Sequence, residues 1–451
     1  MHMGHPGRAR PATSDVDRIS AVDLTTLVSD RGAAAMNIAA VLVVDHGAEL
    51  EPARVTKVLA AWTDAVPRLR QRLRRAPPGC GRPYWADDPH FTVDRHVGWH
   101  HVAEDEDLLD VAADATCRRL PRDRPLWRCI WVTGLDDGRA ALVVVVHHVL
   151  ADGLGGLAML GALAGSSSVE AGSGGHAPRQ VPSAPDLAAE AWRSRAAGVT
   201  SLAARARLAR SGLQDLGLAR TRPRLSPRTS LNRPTGARRR LHVVTVPLTD
   251  LVATGHRLGV TVNDLVLAAV ADSLSGLLRD RGESVDSLVV SVPYSGRAGT
   301  EAGRLGNDTG VVPFRIPLNV DSDTRLQTIA RLTRDQRRRP RAASAAPLGV
   351  AFRLLARLGV FRWFVDRQRL VNTFVTNVRG PAQPWRFCDR VVSSVVPVAV
   401  TPGNVAVTFD VLSYAGTLGV TVVADPDVVP DQARLAGYLH EALSDRMGAS
   451  D

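Results

Sequence analysis

Two adjacent histidines, His147 and His148, end an apolar run from Ala141 to Val146, and Asp152 and Gly153 follow in His148-x-x-x-Asp152-Gly153. Burial keeps an imidazole neutral and able to accept a proton near neutral pH, so one of these rings is a candidate general base. Asp152 is placed either to orient a histidine, as in a triad, or to hold the loop by pairing with a cation elsewhere. The run offers no Ser, Cys or Lys as an activated nucleophile. No further His, Cys or carboxylate stands at ligand spacing, so no metal site is expected. The bland alternative is a pair of hydrogen-bonded core histidines.

The elements around them follow from the pattern. A short, continuous, Val-rich run reads as a strand buried on both faces. After Gly153, the positions Leu154, Leu157, Ala158 and Leu160 have helical spacing. The histidines therefore sit where a buried strand hands over to a loop and helix. Neighbouring side chains on a strand point to opposite faces, so one histidine faces a cleft while the other packs behind it.

The chain has 451 residues, 45% of them hydrophobic, enough for a large core. Its net charge of +11 is carried by Arg, with Lys57 the single lysine. Such a balance favours acidic partners such as nucleic acid, anionic lipid or phosphorylated ligands like coenzyme A. Aromatics make up only 4% and are not interleaved with basic residues, which disfavours single-stranded nucleic acid. Cys80, Cys117, Cys129 and Cys388 form no CxxC pair and read as reduced thiols of a cytoplasmic protein. No signal peptide is expected in the first residues, and no stretch reaches the roughly 20 apolar residues of a membrane span.

Residues 1–14 read as a mobile polar tail. Helices are expected over Asp15–Asp30, Pro52–Val66, Asp107–Leu120, Thr249–Leu258, Thr261–Arg281 (capped by Thr261), Arg325–Arg341, Pro347–Leu370 and Pro430–Met447. Strands are expected over Asn37–Val44, Arg128–Thr133, Leu241–Val246, Leu288–Pro293, Val311–Leu318, Val391–Val400, Val405–Leu412 and Leu418–Val423. Pro67–Pro77, dense in Arg, reads as a solvated charged strand or loop, or as a phosphate or headgroup contact. Gly165–Pro185 and Thr221–Arg240 read as linkers. Between them, Leu187–Leu218 reads as a long basic helix that either lies on an anionic surface or spans two halves of the molecule. The division is thus 15–165, a linker and crossover over 166–240, and 241–451.

The histidine motif resembles the HHxxxDG signature of the CoA-dependent acyltransferase superfamily, which includes chloramphenicol acetyltransferase and nonribosomal peptide condensation domains. An ordered series narrows the resemblance to the bacterial wax ester synthase/diacylglycerol acyltransferase family. It comprises Met36-Asn37-Ile38-Ala39 at a strand entry, Pro125-Leu126-Trp127 before the histidines, Asn263-Asp264, Val292 to Arg297, Leu305-Gly306-Asn307, Thr376-Asn377-Val378-Arg379-Gly380-Pro381, and Val411 to Gly416. Asn37, Tyr294 and Gly310 depart from the family pattern, and Thr376 keeps the hydroxyl of its usual Ser.

The resemblance implies an α/β (α+β) fold of two chloramphenicol-acetyltransferase-like half-domains, each a mixed sheet with helices, with an active-site tunnel between them. It implies acyl transfer from acyl-CoA, as substrate and without any cofactor, to diacylglycerol or a long-chain alcohol. His148 would be the base and Asn263 an oxyanion donor. His147, Asp152, Gly153 and Arg297 would support them, with Arg297 the candidate partner of Asp152. Pro125, Leu126, Trp127, Asp264, Asn307 and Asn377 would be motif residues of structural weight. The expected location is cytoplasmic, with peripheral contact to the inner membrane face or lipid droplets through basic helices. The rival readings are an acyltransferase of specialised metabolism with a non-lipid acceptor, and a non-catalytic lipid- or membrane-binding paralogue.

Overall fold

The computed structural model describes residues 16–30, 33, 35–103, 106–166, 181–200, 225–295, 309–338, 352, 354–355, 358–399 and 401–448. The tail over 1–14, Arg297, Asn307, most of the Gly165–Pro185 linker and the second part of the basic crossover helix lie outside these residues. The helices are α1 (Ala21–Ser29), α2 (Pro52–Ala65), α3 (Leu108–Cys117), α4 (Gly153–Ser166), α5 (Ala184–Thr200), α6 (Leu248–Leu258), α7 (Val262–Asp280), α8 (Ser322–Arg337), α9 (Phe361–Val365) and α10 (Gln432–Gly448). The strands are β1 (Asn37–Val44), β2 (Gln71–Arg74), β3 (Tyr84–Asp87), β4 (Val97–His101), β5 (Trp127–Thr133), β6 (Ala140–His147), β7 (Arg240–Pro247), β8 (Ser287–Ser295), β9 (Thr309–Pro317), β10 (Thr373–Arg379), β11 (Arg386–Phe387), β12 (Arg390–Val398), β13 (Val407–Tyr414) and β14 (Thr417–Ala424).

Two six-stranded mixed sheets carry the fold, in the orders β11-β12-β1-β6-β5-β4 and β7-β14-β13-β10-β8-β9. A two-stranded ribbon, β2-β3, stands apart. All eight residues of β6 are buried, as its unbroken apolar run requires. The strand sits between β1 and β5 in the middle of the first sheet. In the second sheet, α7 is the core helix: thirteen of its residues are buried. Thr261 caps it, accepting from the Asp264 N–H, while Asp264 accepts from the Thr261 N–H at 2.9 Å.

The structure corrects several sequence expectations. Helix α1 starts at Ala21, not Asp15, because Ser20 and Asp23 form a capping box there. Residues 225–239 are no free linker: Ser226, Thr229 and Leu231 are buried. Helix α5 opens at Ala184, inside the stretch read as linker. Pro347–Leu370 is not one helix, for Gly359 adopts a φ of +74° just before α9. Most consequentially, β12 leaves the second half and pairs antiparallel with β1, Val41 opposite Val396. The sequence division at 240 therefore separates the chain but not the sheets.

Candidate active site

The end of β6 is fixed before its side chains are considered. The His147 N–H donates to the Leu126 carbonyl at 2.9 Å, and the His148 N–H donates to the Met36 carbonyl at 2.8 Å. Leu126 is in turn positioned by Trp127, which is buried, donates through Nε1 to the Leu69 carbonyl (2.7 Å) and stacks on His96 at 4.4 Å. Pro125-Leu126-Trp127 thus acts as a clamp on the strand that delivers the histidines.

The two imidazoles part as the alternation predicts. His147 is buried. Its Nδ1 accepts from the Val149 N–H at 3.0 Å, so the proton of the neutral ring sits on Nε2, which lies 3.4 Å from Asp30 Oδ2. Asp30 is surrounded by donors: the Met36 N–H (3.1 Å), Arg119 Nη1 (2.6 Å) and Arg122 Nη2 (2.6 Å). Burial alone would raise its pKa, but the nearby His147 ring and the hydrogen bonds from the Met36 N–H and Arg122 hold the carboxyl well below the ordinary carboxylate range. Asn37, directly opposite His147 in the ladder, donates to the carbonyls of Thr116 and Arg118 (2.9 and 2.8 Å).

His148 instead lines a cavity of about 580 Å³ between the two sheets. Its walls are mostly apolar: Ile38, Val144 and Val146 from the first sheet, Phe374, Val378 and Val411 from the second. Asp152 also lines it, but its Oδ1 accepts from the Gly155 N–H at 2.9 Å and so opens α4 in the manner of a cap. Gly153 has no room for a side chain: a Cβ there would meet Val378 Cγ2 at 2.9 Å. That close approach of β10 to the histidine loop is what the glycine secures.

Asn263, on the first turn of α7, reaches the cavity from the second half. Its Oδ1 accepts from Asn377 Nδ2 at 3.2 Å, which leaves the Asn263 amide N–H groups as the donors for the cavity. Asp264, next to it, faces away: it closes the capping box and accepts from Thr333 Oγ1 at 2.7 Å. His148, Asp152, Gly153, Asn263 and Asn377 therefore converge, whereas His147, Trp127 and Asp264 stand behind as supports.

Three residues at the site escaped the sequence reading. Asp30, 117 residues before His147, carries only a helix-end signal. Arg337, at the end of α8, is exposed and lines the cavity. Asp410, in the middle of β13, lines it as well, and burial raises its carboxyl pKa to about 7.

Comparison with known proteins agrees with this geometry. Residues 19–266 match the wax ester synthase/diacylglycerol acyltransferase catalytic domain, and residues 305–445 match the WS/DGAT C-terminal domain. The protein named "Probable diacyglycerol O-acyltransferase tgs1" of Mycobacterium tuberculosis is 32% identical over 403 residues, covering 84% of each chain. In three dimensions, the wax ester synthase/diacylglycerol acyltransferase of Marinobacter aquaeolei VT8 is similar with a TM-score of 0.64 at 18% identity, over 95% of this chain and 98% of that one. The first condensation domain of the CDA synthetase gives 0.62 at 19% identity, over 97% and 98%. These structural likenesses establish the two-lobed, condensation-like fold, and the sequence matches are more specific: the chain belongs to the wax ester synthase/diacylglycerol acyltransferase family.

Proposed function

We propose that this protein is an acyl-CoA-dependent O-acyltransferase that makes triacylglycerol from diacylglycerol, wax esters from long-chain alcohols, or both. The observation that carries the reading is His148: it stands on the wall of an apolar cavity between two sheets, facing donors from the other half. A thioester is already activated, so no acyl-enzyme is required. His148 takes the proton of the acceptor hydroxyl as its oxygen attacks the thioester carbonyl, and then protonates the departing thiolate. The Asn263 amide is placed to donate to the tetrahedral oxyanion. Asn377 is a positioning residue, since it holds Asn263 by its oxygen. Arg337 offers an exposed cation at the cavity for the phosphates of coenzyme A. No cofactor beyond the acyl donor enters this scheme.

Contact with a lipid surface belongs to the same proposal. Among the described residues no single helix is long and apolar enough to cross a membrane. However, Leu354, Leu358, Val360 and Trp363 are 56, 66, 42 and 62% exposed on one short segment, and Arg367 lies 5.6 Å over the Trp363 ring. Aromatic and aliphatic side chains flanked by Arg suit an anionic lipid interface.

The test is thiol release from palmitoyl-CoA by the purified protein with diacylglycerol, a long-chain alcohol or no acceptor. Acceptor-dependent release that is lost in His148→Ala is the expected result. Release that survives the substitution would overturn the assignment of the base.

A further inference from the structure

The cavity has a polar patch for which the proposed reaction has no use. Asp410 is 2% exposed, and its Oδ2 accepts from the Ala399 N–H at 2.8 Å. Among the described residues its Oδ1 has no hydrogen-bond partner, and the same holds of the hydroxyls named next. Thr408, two residues earlier and so on the same face of β13, also lines the cavity and also has a buried, unpartnered Oγ1. Thr421, directly across the ladder from Asp410, is fully buried with its Oγ1 unpartnered. Buried polar atoms are nearly always satisfied, and a half-used carboxylate in an apolar wall is costly unless something answers it. Three such atoms on one face of one sheet, two of them from residues lining a substrate cavity, mark a place made for a hydrogen-bonding group.

We propose that Asp410 and Thr408, with the buried Thr421 beside Asp410, form a subsite that binds a second hydroxyl of the acyl acceptor, so that acceptors with two free hydroxyls are taken beside diacylglycerol and long-chain alcohols, which have only the one that reacts at His148. The carboxylate has spare acceptor capacity and no proton to offer when ionised, so the complementary group is a donor. The subsite then favours acceptors bearing a second hydroxyl over simple alcohols of equal chain length. This inference rests on the acyltransferase reading for its ligand class, but its test does not use turnover.

The experiment is calorimetric binding of decane-1,2-diol and of decan-1-ol to the full chain, without acyl-CoA, for wild type, Asp410→Asn and Thr408→Val. Asn can still accept from the Ala399 N–H but carries no charge, so the fold is kept while the charge-assisted hydrogen bond to the diol is weakened; all titrations are run at pH 8, where the carboxylate is ionised. Wild type should bind the diol ~tenfold more tightly than the alcohol, the worth of about one good hydrogen bond. In Asp410→Asn the preference should shrink to about half or less through weaker diol binding, with decanol affinity unchanged, and Thr408→Val should show a smaller loss. Equal affinity of wild type for the two ligands, or no binding of either, would overturn the proposal, as would a preference left unchanged by both substitutions. If Asp410→Asn fails to fold, Thr408→Val decides. Acyl transfer from palmitoyl-CoA to decanol, run in parallel on wild type, tests the reaction separately: its absence would count against the acyltransferase reading and leave the binding comparison standing.

Discussion

Two buried aspartates flank the histidine strand's surroundings and behave in opposite ways. Asp30, behind His147, receives hydrogen bonds from Met36, Arg119 and Arg122 and faces the His147 ring. Asp410, on the far wall of the cavity, receives one hydrogen bond among the described residues, from the Ala399 N–H. Accordingly the first stays ionised well below the usual carboxylate range, and the second is pushed up to about 7. The residue type is the same, and the number of donors decides the chemistry. A carboxylate whose valences are filled by the protein is scaffold. One whose valence is left open is a demand on the ligand.

The sharpest break in that comparison comes from the reacting group itself. His148→Ala should lower the rate of acceptor-dependent thiol release on the order of a hundred- to ten-thousandfold with unchanged far-UV circular dichroism, whereas His147→Ala should cost less in rate and more in stability. A simultaneous collapse of fold and rate in the His148 variant would instead place that ring among the supports.

Next in size is Asp30→Ala, which strips the acceptor from buried donors and should destabilise the protein by about 2–4 kcal/mol in urea unfolding. The pH dependence has a definite sign. A lowered carboxyl pKa contributes stability that is present above the unfolded-state value near 4 and is lost as the pH falls below it. The gap between wild type and Asp30→Asn should therefore close in acid. A gap that persists unchanged at low pH would show that the carboxylate charge is irrelevant.

Asp410 should behave in the reverse sense. Its raised pKa means that the fold loses stability as the pH rises from about 4 through 7, with the cost complete above that value. Among the described residues, the other titratable groups on the same cavity are His148, Asp152 and Arg337. Asp410→Asn should raise the melting temperature at pH 8, by an amount corresponding to on the order of 1–3 kcal/mol, and change little at pH 4. The same shift at both pH values would remove ionisation as the cause. The smallest effect is expected from Asn377→Ala, which frees the Asn263 side chain: kcat should fall roughly three- to tenfold with KM for the acceptor little changed, since only orientation is lost.

How much of this was legible beforehand depended on whether the signal was local. The delivery of the histidines was readable because a Val-rich run and an abrupt polar end are contiguous. The start of α7 was readable because Thr261 and Asp264 form a box three residues apart. The Ser20 and Asp23 box had the same form and was overlooked in favour of Asp15. Asp30 could not be found, because its approach to His147 joins residues far apart in the chain and leaves no spacing to read. Asp410 was hidden by the alternation around it, where Thr408, Asp410 and the neighbouring apolar residues read as an ordinary half-buried strand. Strand β2 lies in the stretch read as a charged strand or loop, since Gln-Arg-Leu-Arg carries too little period-two signal to decide between them, and the four residues of β3 were too few to stand out. Val391–Val400 was read as a strand, but nothing in its composition says which sheet it joins.

That last placement bears on how the molecule is made. Strand β1 is synthesised early, yet its partner β12 follows some 350 residues later, with Val43 opposite Ser394. Until that segment emerges from the ribosome, the nascent first sheet has an open, apolar edge, which is the feature that invites mispairing with other chains. Completion of the sheet is therefore a late event, and it simultaneously brings Pro397 and Val398 to the cavity wall. The strand that seals the first lobe also helps build the chamber, so an incomplete chain is left without a finished substrate cavity.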